Sequence, residues 1–194
     1  MAAVVPAAAL GRAYEKVSFT TSDGLTLRGW YVPSRNRAAV IAAPGRAGSQ
    51  KPARMLVRHG YGVLLFDRRG EGESDGDFNA YGWGGDRDLR AAVGFLARRD
   101  DVDPRRIAIV GRSLGSGVAV QVAMQCAAHS VVLITPYDSI LAIAKRRFRT
   151  MPIEYVLRHR FESVKYASSL TAPTYVLRAA FDDIVPHSHT DLLV

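Results

Sequence analysis

The sequence predicts an α/β protein: a mostly parallel sheet with an antiparallel hairpin at its amino end and helices on both faces. Three observations carry this. From residue 38 onward, short apolar runs with strand character alternate with segments of helix length, the pattern of a parallel sheet wrapped by helices. Two of those runs, AAVIA and GVLLF, are apolar at nearly every position, as strands covered on both faces are. Before residue 38 the chain instead holds two strand-like runs joined by Ser22-Asp23-Gly24, a hairpin signal. A chain of 194 residues, 48% apolar and 23% charged, is long enough for one sizeable core, so residues 1–194 read as a single domain.

The elements follow in order. Tyr14 to Thr20 alternates, and Thr26 to Val32 is rich in strand formers; together they make the hairpin. Ala38 to Ala42 is the first fully covered strand, and a helix over about Pro52 to His59 ends at Gly60. Gly62 to Phe66 is the next buried strand. Asp67 to Gly85 is glycine-rich and without period, hence a loop. A helix over Asp86 to Arg98 places Leu89, Ala92, Val93 and Leu96 on one face. Arg106 to Val110 is a strand, Ser113 to about Ala128 a helix, and Ser130 to Ile134 a strand. Residues 137–170 read as short basic helical pieces, a possible minimal cap. Thr174 to Arg178 is a strand, and a helix begins at His187.

In parallel sheets of this kind ligands bind beyond the carboxyl ends of the strands, so the loops that follow strands hold the candidates. Gly111-Arg112-Ser113-Leu114-Gly115 lies on the bend from strand to helix. Small residues two before and two after a serine relieve the crowding of so sharp a turn. The turn presents the Ser113 hydroxyl above the sheet, at a helix amino end where the amide of Leu114 faces outward. Such donors suit the oxyanion of a tetrahedral intermediate. Gly111, Gly115 and Gly117 also match a dinucleotide phosphate loop, but several strands precede them and no tyrosine has a lysine four residues on, so that reading is set aside.

Ala43-Pro44-Gly45-Arg46-Ala47-Gly48-Ser49 follows the strand AAVIA, where the amide of Arg46 is the candidate second oxyanion donor. The carboxylate-rich loop from Asp67 to Gly76 does not fit calcium-loop spacing; Asp67 and Arg68 are expected to tie it down by charge-assisted bonds. After the strand TYVLR comes Phe181-Asp182-Asp183-Ile184-Val185-Pro186, where a carboxylate can orient a histidine; Asp182, first after the strand, is preferred over Asp183.

On SFTTSDGLTLRGWYVP, APGRAGS, GYGVLLFDRRGEGESDG, DVDPRRIAIVGRSLGSG, VVLITPYDSI and FDDIVP, residues 14–194 resemble the α/β-hydrolase superfamily, in its small, nearly lidless branch of esterases, thioesterases and acylaminopeptidase-like enzymes. The resemblance implies Ser113 as nucleophile, Asp182 as triad acid, and the amides of Arg46 and Leu114 as oxyanion hole. It also implies a small ester or thioester as substrate, an acyl-enzyme as intermediate, and neither cofactor nor metal. The family more usually has His-Gly where this chain has Pro44-Gly45, which leaves the geometry of that loop open.

The same resemblance exposes a gap. Chain order in this fold is Ser, Asp, His, with the histidine beyond a further helix and strand. The sequence runs only to Val194, so the expected base has no position in it. Of the five histidines, His59 ends a helix, His129 precedes a strand at the wrong edge, and His159 sits in the basic segment. His187 and His189 follow Asp182 closely and read as first-turn residues of a surface helix, with substitution for the base a lesser alternative. Three explanations stand: a shortened version of a complete enzyme, a scaffold with lost chemistry, or a base from a substitute or a partner chain. The expected activity of these 194 residues is therefore weak or nil, and the alternative function is a non-catalytic binding protein. An unfinished sheet would also leave an exposed apolar strip at the edge near the carboxyl end, prone to dimerisation.

Composition narrows the partners. Twenty-six Lys and Arg against 18 Asp and Glu give a net charge of +8, compatible with an anionic partner. The arginines are scattered, however, and the densest cluster, Lys145-Arg146-Arg147-Phe148-Arg149, comes without a nucleic-acid motif, so it reads as a solvated basic face and nucleic acid is not expected. The single cysteine, Cys126, excludes an internal disulfide and reads as a small buried residue within a helix. No run of 18 apolar residues is present, and MAAVVPAAAL lacks the basic start of a cleaved signal. The expected location is cytoplasmic, or the soluble part of a protein anchored upstream.

Overall fold

The computed structural model describes residues 10–43, 50–77, 84–126, 128–157, 160–180 and 185–193. Among these, strands β1 (Glu15–Thr20), β2 (Thr26–Val32), β3 (Ala39–Ala43), β4 (Gly62–Phe66), β5 (Ile107–Arg112), β6 (Ser130–Ile134) and β7 (Thr174–Leu177) form one sheet. Its order is β1-β2-β4-β3-β5-β6-β7. The β1–β2 hairpin pairs antiparallel, with Thr20 opposite Thr26, and β2 runs antiparallel to β4; every later pairing is parallel. The predicted architecture, a parallel sheet with an antiparallel amino-terminal hairpin, is the observed one.

The helices are α1 (Gln50–Arg58), α2 (Gly85–Ala97), α3 (Leu114–Ala123), α4 (Ile140–Arg147), α5 (Ile153–Val156), α6 (Val164–Ala167) and α7 (His187–Asp191). Two cores form because strand side chains alternate between faces. Leu64 and Phe66 of β4 and Ile41 of β3 join Leu89, Ala92 and Leu96 of α2 and Ala119 and Val122 of α3 on one side. Val63 and Leu65 of β4 and Ala42 of β3 meet Ala53 and Val57 of α1 on the other. Each fully buried Leu, Ile or Phe side chain contributes about 1.5–3 kcal/mol of transfer free energy. β3 and β4 are buried along their whole length, as the apolar runs required.

Several boundaries differ from expectation. Arg106 belongs to a short 3₁₀ turn, Pro104–Arg106, whose first amide, that of Arg105, donates to the Asp103 carboxylate; the strand starts at Ile107. Helix α3 stops at Ala123 rather than near Ala128, because the chain tightens into a turn in which the amides of Gln125 and Cys126 both donate to the Val122 carbonyl. Cys126 thus lies just past the helix and is half-buried against the core. Burial pushes its thiol above the ordinary value.

The loop after β4 is tied down, by more groups than expected. Asp67 accepts the Glu73 amide, and Arg68 donates to both Glu71 carboxylate oxygens through Nε and Nη2. The larger tie is Arg69, 8% exposed, which donates to Asp88 of α2 at 2.6 and 2.9 Å and to Asp23 of the hairpin turn at 2.8 Å. One guanidinium therefore joins the hairpin, this loop and α2. Gly84 is required beside it: its φ of 74° is left-handed, and a Cβ there would come within 2.4 Å of the guanidinium.

Candidate active site

Register brings the ends of four strands to one level. Ala43 of β3 pairs with Gly111 of β5, Arg112 of β5 with Ile134 of β6, and Ile134 with Leu177 of β7. The chain leaves β3, β5, β6 and β7 at this one carboxyl edge, where the sequence placed its candidates.

Ser113 stands between β5 and α3 with φ 50° and ψ −122°. A non-glycine residue there carries about 1–3 kcal/mol of strain, which the surroundings must hold in place. They do so from both sides. The Ser113 amide donates to the Ile134 carbonyl of β6 at 3.0 Å. Its carbonyl accepts the Ser116 amide at 2.8 Å and the Ser116 hydroxyl at 2.6 Å. Tight packing explains Gly111: a Cβ there would lie 2.6 Å from the Gly115 carbonyl oxygen and 2.7 Å from the Ala119 methyl. The turn is thus fully determined by its neighbours while the Ser113 side chain remains half-buried rather than walled in. Leu114 is the first residue of α3, and helix geometry gives its amide no acceptor inside the helix. The structure therefore places Ser113 and the Leu114 backbone side by side at the start of α3.

Arg46 and Asp182 lie outside the described residues, as do Asp183 and His159. Their flanks are described. The segment with Arg46 leaves β3 at Ala43, whose partner Gly111 is two residues from Ser113. The segment with Asp182 joins residue 180, shortly after β7, to Val185, which is buried ahead of α7.

A pair that the sequence reading missed lies at this same edge. His189 Nδ1 is 2.7 Å from Asp138 Oδ1, and both side chains are largely buried. The same carboxylate oxygen accepts the Ser139 amide at 2.6 Å, and the Thr190 hydroxyl donates to the Pro136 carbonyl at 2.9 Å. Two bonds thus fasten α7 to the loop after β6. The expectation of a surface position holds for His187, which is exposed with its ring on the Ala179 carbonyl, and fails for His189. One signal could have found the pair: Asp138 follows a strand at the carboxyl edge, as Asp182 does. Thr135, just past β6, repeats the backbone signature of Ser113, with φ 47° and its amide on the Leu177 carbonyl at 2.7 Å. Two adjacent strands therefore each end in a strained non-glycine residue, the kind of concentration found at functional sites.

The other histidines lie elsewhere. His59 follows α1, and His129 donates its amide to Ile107 at the opposite edge of the sheet. Among the described residues, no histidine is hydrogen-bonded to Ser113.

Comparison with known proteins agrees with this geometry. Residues 27–192 match the profile described as the alpha/beta hydrolase family. The chain is 36% identical to the uncharacterized protein Rv2307c of Mycobacterium tuberculosis over 181 residues, covering 90% of this chain and 64% of that protein. It is 33% identical over 153 residues to polyketide transferase ATR5 of Stachybotrys chlorohalonatus, covering 72% and 50%. The Pyrococcus furiosus esterase Pf2001 superposes with a TM-score of 0.80 at 24% identity, covering all of this chain and 81% of that one. The chain thus spans less than two thirds of the length of the mycobacterial relative.

Proposed function

Since the chain belongs to the α/β-hydrolase family, we propose that it is a serine hydrolase cleaving a carboxylic ester or thioester through an acyl-enzyme on Ser113. The observation that carries this reading is the backbone of Ser113, a strained turn held by both neighbours beside the first amide of α3. In the proposed reaction the Ser113 hydroxyl attacks the substrate carbonyl and gives up its proton to a base. The carbonyl oxygen, now negative, is held by the amides of Leu114 and Arg46. The carbon–oxygen or carbon–sulfur bond then breaks, the proton passes to the leaving alcohol or thiol, and water attacks the acyl group in turn. Asp182 is the carboxylate that would orient the base. A relative named as a polyketide transferase is consistent with an acyl group leaving to an acceptor other than water.

The base is the open element. No described histidine is bonded to Ser113, and His189 is engaged with Asp138. Slow turnover is therefore expected of these residues alone, because a serine hydroxyl with no base to take its proton is a weak nucleophile. The same observation favours a second reading, a non-catalytic binding protein on this scaffold. Turnover of p-nitrophenyl esters separates the two. Slow hydrolysis that disappears in Ser113→Ala supports the hydrolase. A rate unchanged by that substitution rejects it.

A further inference from the structure

Between Ser139 and Arg160 the chain makes an excursion that closes on itself: the amides of Ile140 and Leu141 both donate to the Arg160 carbonyl, at 2.9 and 3.3 Å. The excursion holds α4, a turn and α5, and it leaves the sheet just after β6, the strand whose Ile134 carbonyl holds Ser113. Ser139 caps α4 by accepting the Ala142 amide at 3.0 Å, yet α4 has no buried residue along its length. α5 packs against α4 and turns only Ile153 inward. The element is therefore anchored at its base, with residues 140–144 half-buried, and its far end stands in solvent.

Its far end is chemically distinctive. Residues 145–152 form a continuous exposed run. Within it Arg146, Arg147 and Arg149 make no ion pair among the described residues, and Lys145 reaches only Glu154, at 3.7 Å. Interleaved with these cations are large apolar side chains in water: Phe148 and Met151, each 49% exposed, and on α5 Tyr155 at 87% and Val156 at 60%. Cations alone would make a solvated face, and apolar groups alone would be a gap in packing. Together, on a projecting tip of a molecule with net charge +8, they match one kind of surface. That surface offers anionic groups beside a hydrocarbon interior into which Phe148, Met151 and Val156 can pass, with Tyr155 at the headgroup level. An acidic polymer would use the arginines and leave Met151 and Val156 in water.

We propose that the tip of the α4–α5 excursion, through Arg146, Arg147, Phe148, Arg149, Met151, Tyr155 and Val156, docks the chain on an anionic phospholipid surface. This is peripheral binding: among the described residues no helix is long and apolar enough to cross a membrane. It stands independently of the chemistry at Ser113, and it gives the basic cluster a role that a solvated face would not.

The test is partitioning of the chain onto sedimented vesicles of phosphatidylcholine with about one third phosphatidylglycerol, against vesicles of phosphatidylcholine alone. The expected result is binding to the anionic vesicles at about 0.1 M salt, loss at about 0.5 M, and little binding to the neutral ones. Joint replacement Arg146→Gln, Arg147→Gln and Arg149→Gln should weaken partitioning about a hundredfold, since each cation near an anionic surface is worth roughly a fivefold factor. Phe148→Ser with Met151→Ser should weaken it about tenfold or more. All five positions are exposed, and an unchanged thermal transition confirms that the variants fold. Ser113→Ala should partition like the parent, so failure of docking and failure of the hydrolase reading show in separate measurements. Absence of binding to anionic vesicles, or triple-variant binding equal to the parent, overturns the proposal. So does equal retention on polyaspartate or duplex DNA that ignores Phe148→Ser and Met151→Ser, which would mark a general anion-binding face.

Discussion

Ser113 concentrates the argument at the scale of single residues. Its backbone angles are unfavourable for any side chain, and its bonds with Ile134 and Ser116 hold them. Glycine would relax there, so Ser113→Gly should stabilise the fold by about 1 kcal/mol in denaturant unfolding while removing ester turnover. Stability gained as function is lost marks a residue kept for chemistry. His189 should behave in the opposite way. His189→Ala leaves the largely buried Asp138 carboxylate with the Ser139 amide but without the imidazole, and should cost about 1–3 kcal/mol in the same experiment. The contrast explains what could be read in advance. Ser113 was legible because strand, serine and helix are adjacent in sequence and the crowding is local. Asp138 and His189 are 51 residues apart and meet only through the pairing of β6 with β7 and the placement of α7, which no local pattern encodes.

Arg69 decides most at the scale of elements. It links the hairpin turn, the loop after β4 and α2, yet the sequence reading passed over it for its neighbours Asp67 and Arg68. A run of charged residues does not show which member turns inward; tertiary packing chooses. Arg69→Ala strands Asp88, 2% exposed, without its cation, and should destabilise by about 3–5 kcal/mol. The same network has a pH signature. The Arg69 guanidinium, with Thr21 and Arg87, holds the Asp23 carboxyl well below the usual carboxylate range. A group depressed in the folded state adds stability that is complete above its ordinary value of about 4 and is lost as pH falls toward the folded value. For Asp88 burial acts first and raises the carboxyl, against the pull of Arg69, so within this network the acid-sensitive group is Asp23. Asp23→Asn should therefore flatten the fall of unfolding free energy below about pH 4. At the sheet's end, β7 pairs only with β6 among the described residues and exposes Tyr175 and Leu177.

The whole molecule is a consequence of alternation. Apolar runs too short for helices and apolar on both faces require a covered parallel sheet, and that sheet puts every loop of interest at one edge. This much of the fold was present in the order of residues, including the hairpin that precedes the parallel strands. The site was legible as far as it depends on that edge: Ser113 and Leu114 stand where the strand-to-helix bend placed them. What escaped was side-chain pairing across the edge, and the shape of the α4–α5 excursion, whose basic run looked like ordinary solvated surface until its apolar neighbours were seen exposed beside it. The account rests on one claim, that the strained serine is the acyl acceptor. Incubation with a fluorophosphonate followed by peptide mass spectrometry tests it most directly. A covalent adduct on the peptide containing Ser113, absent from Ser113→Ala, is expected; an unmodified Ser113 after prolonged incubation, or label carried equally by the substituted chain, would overturn the assignment.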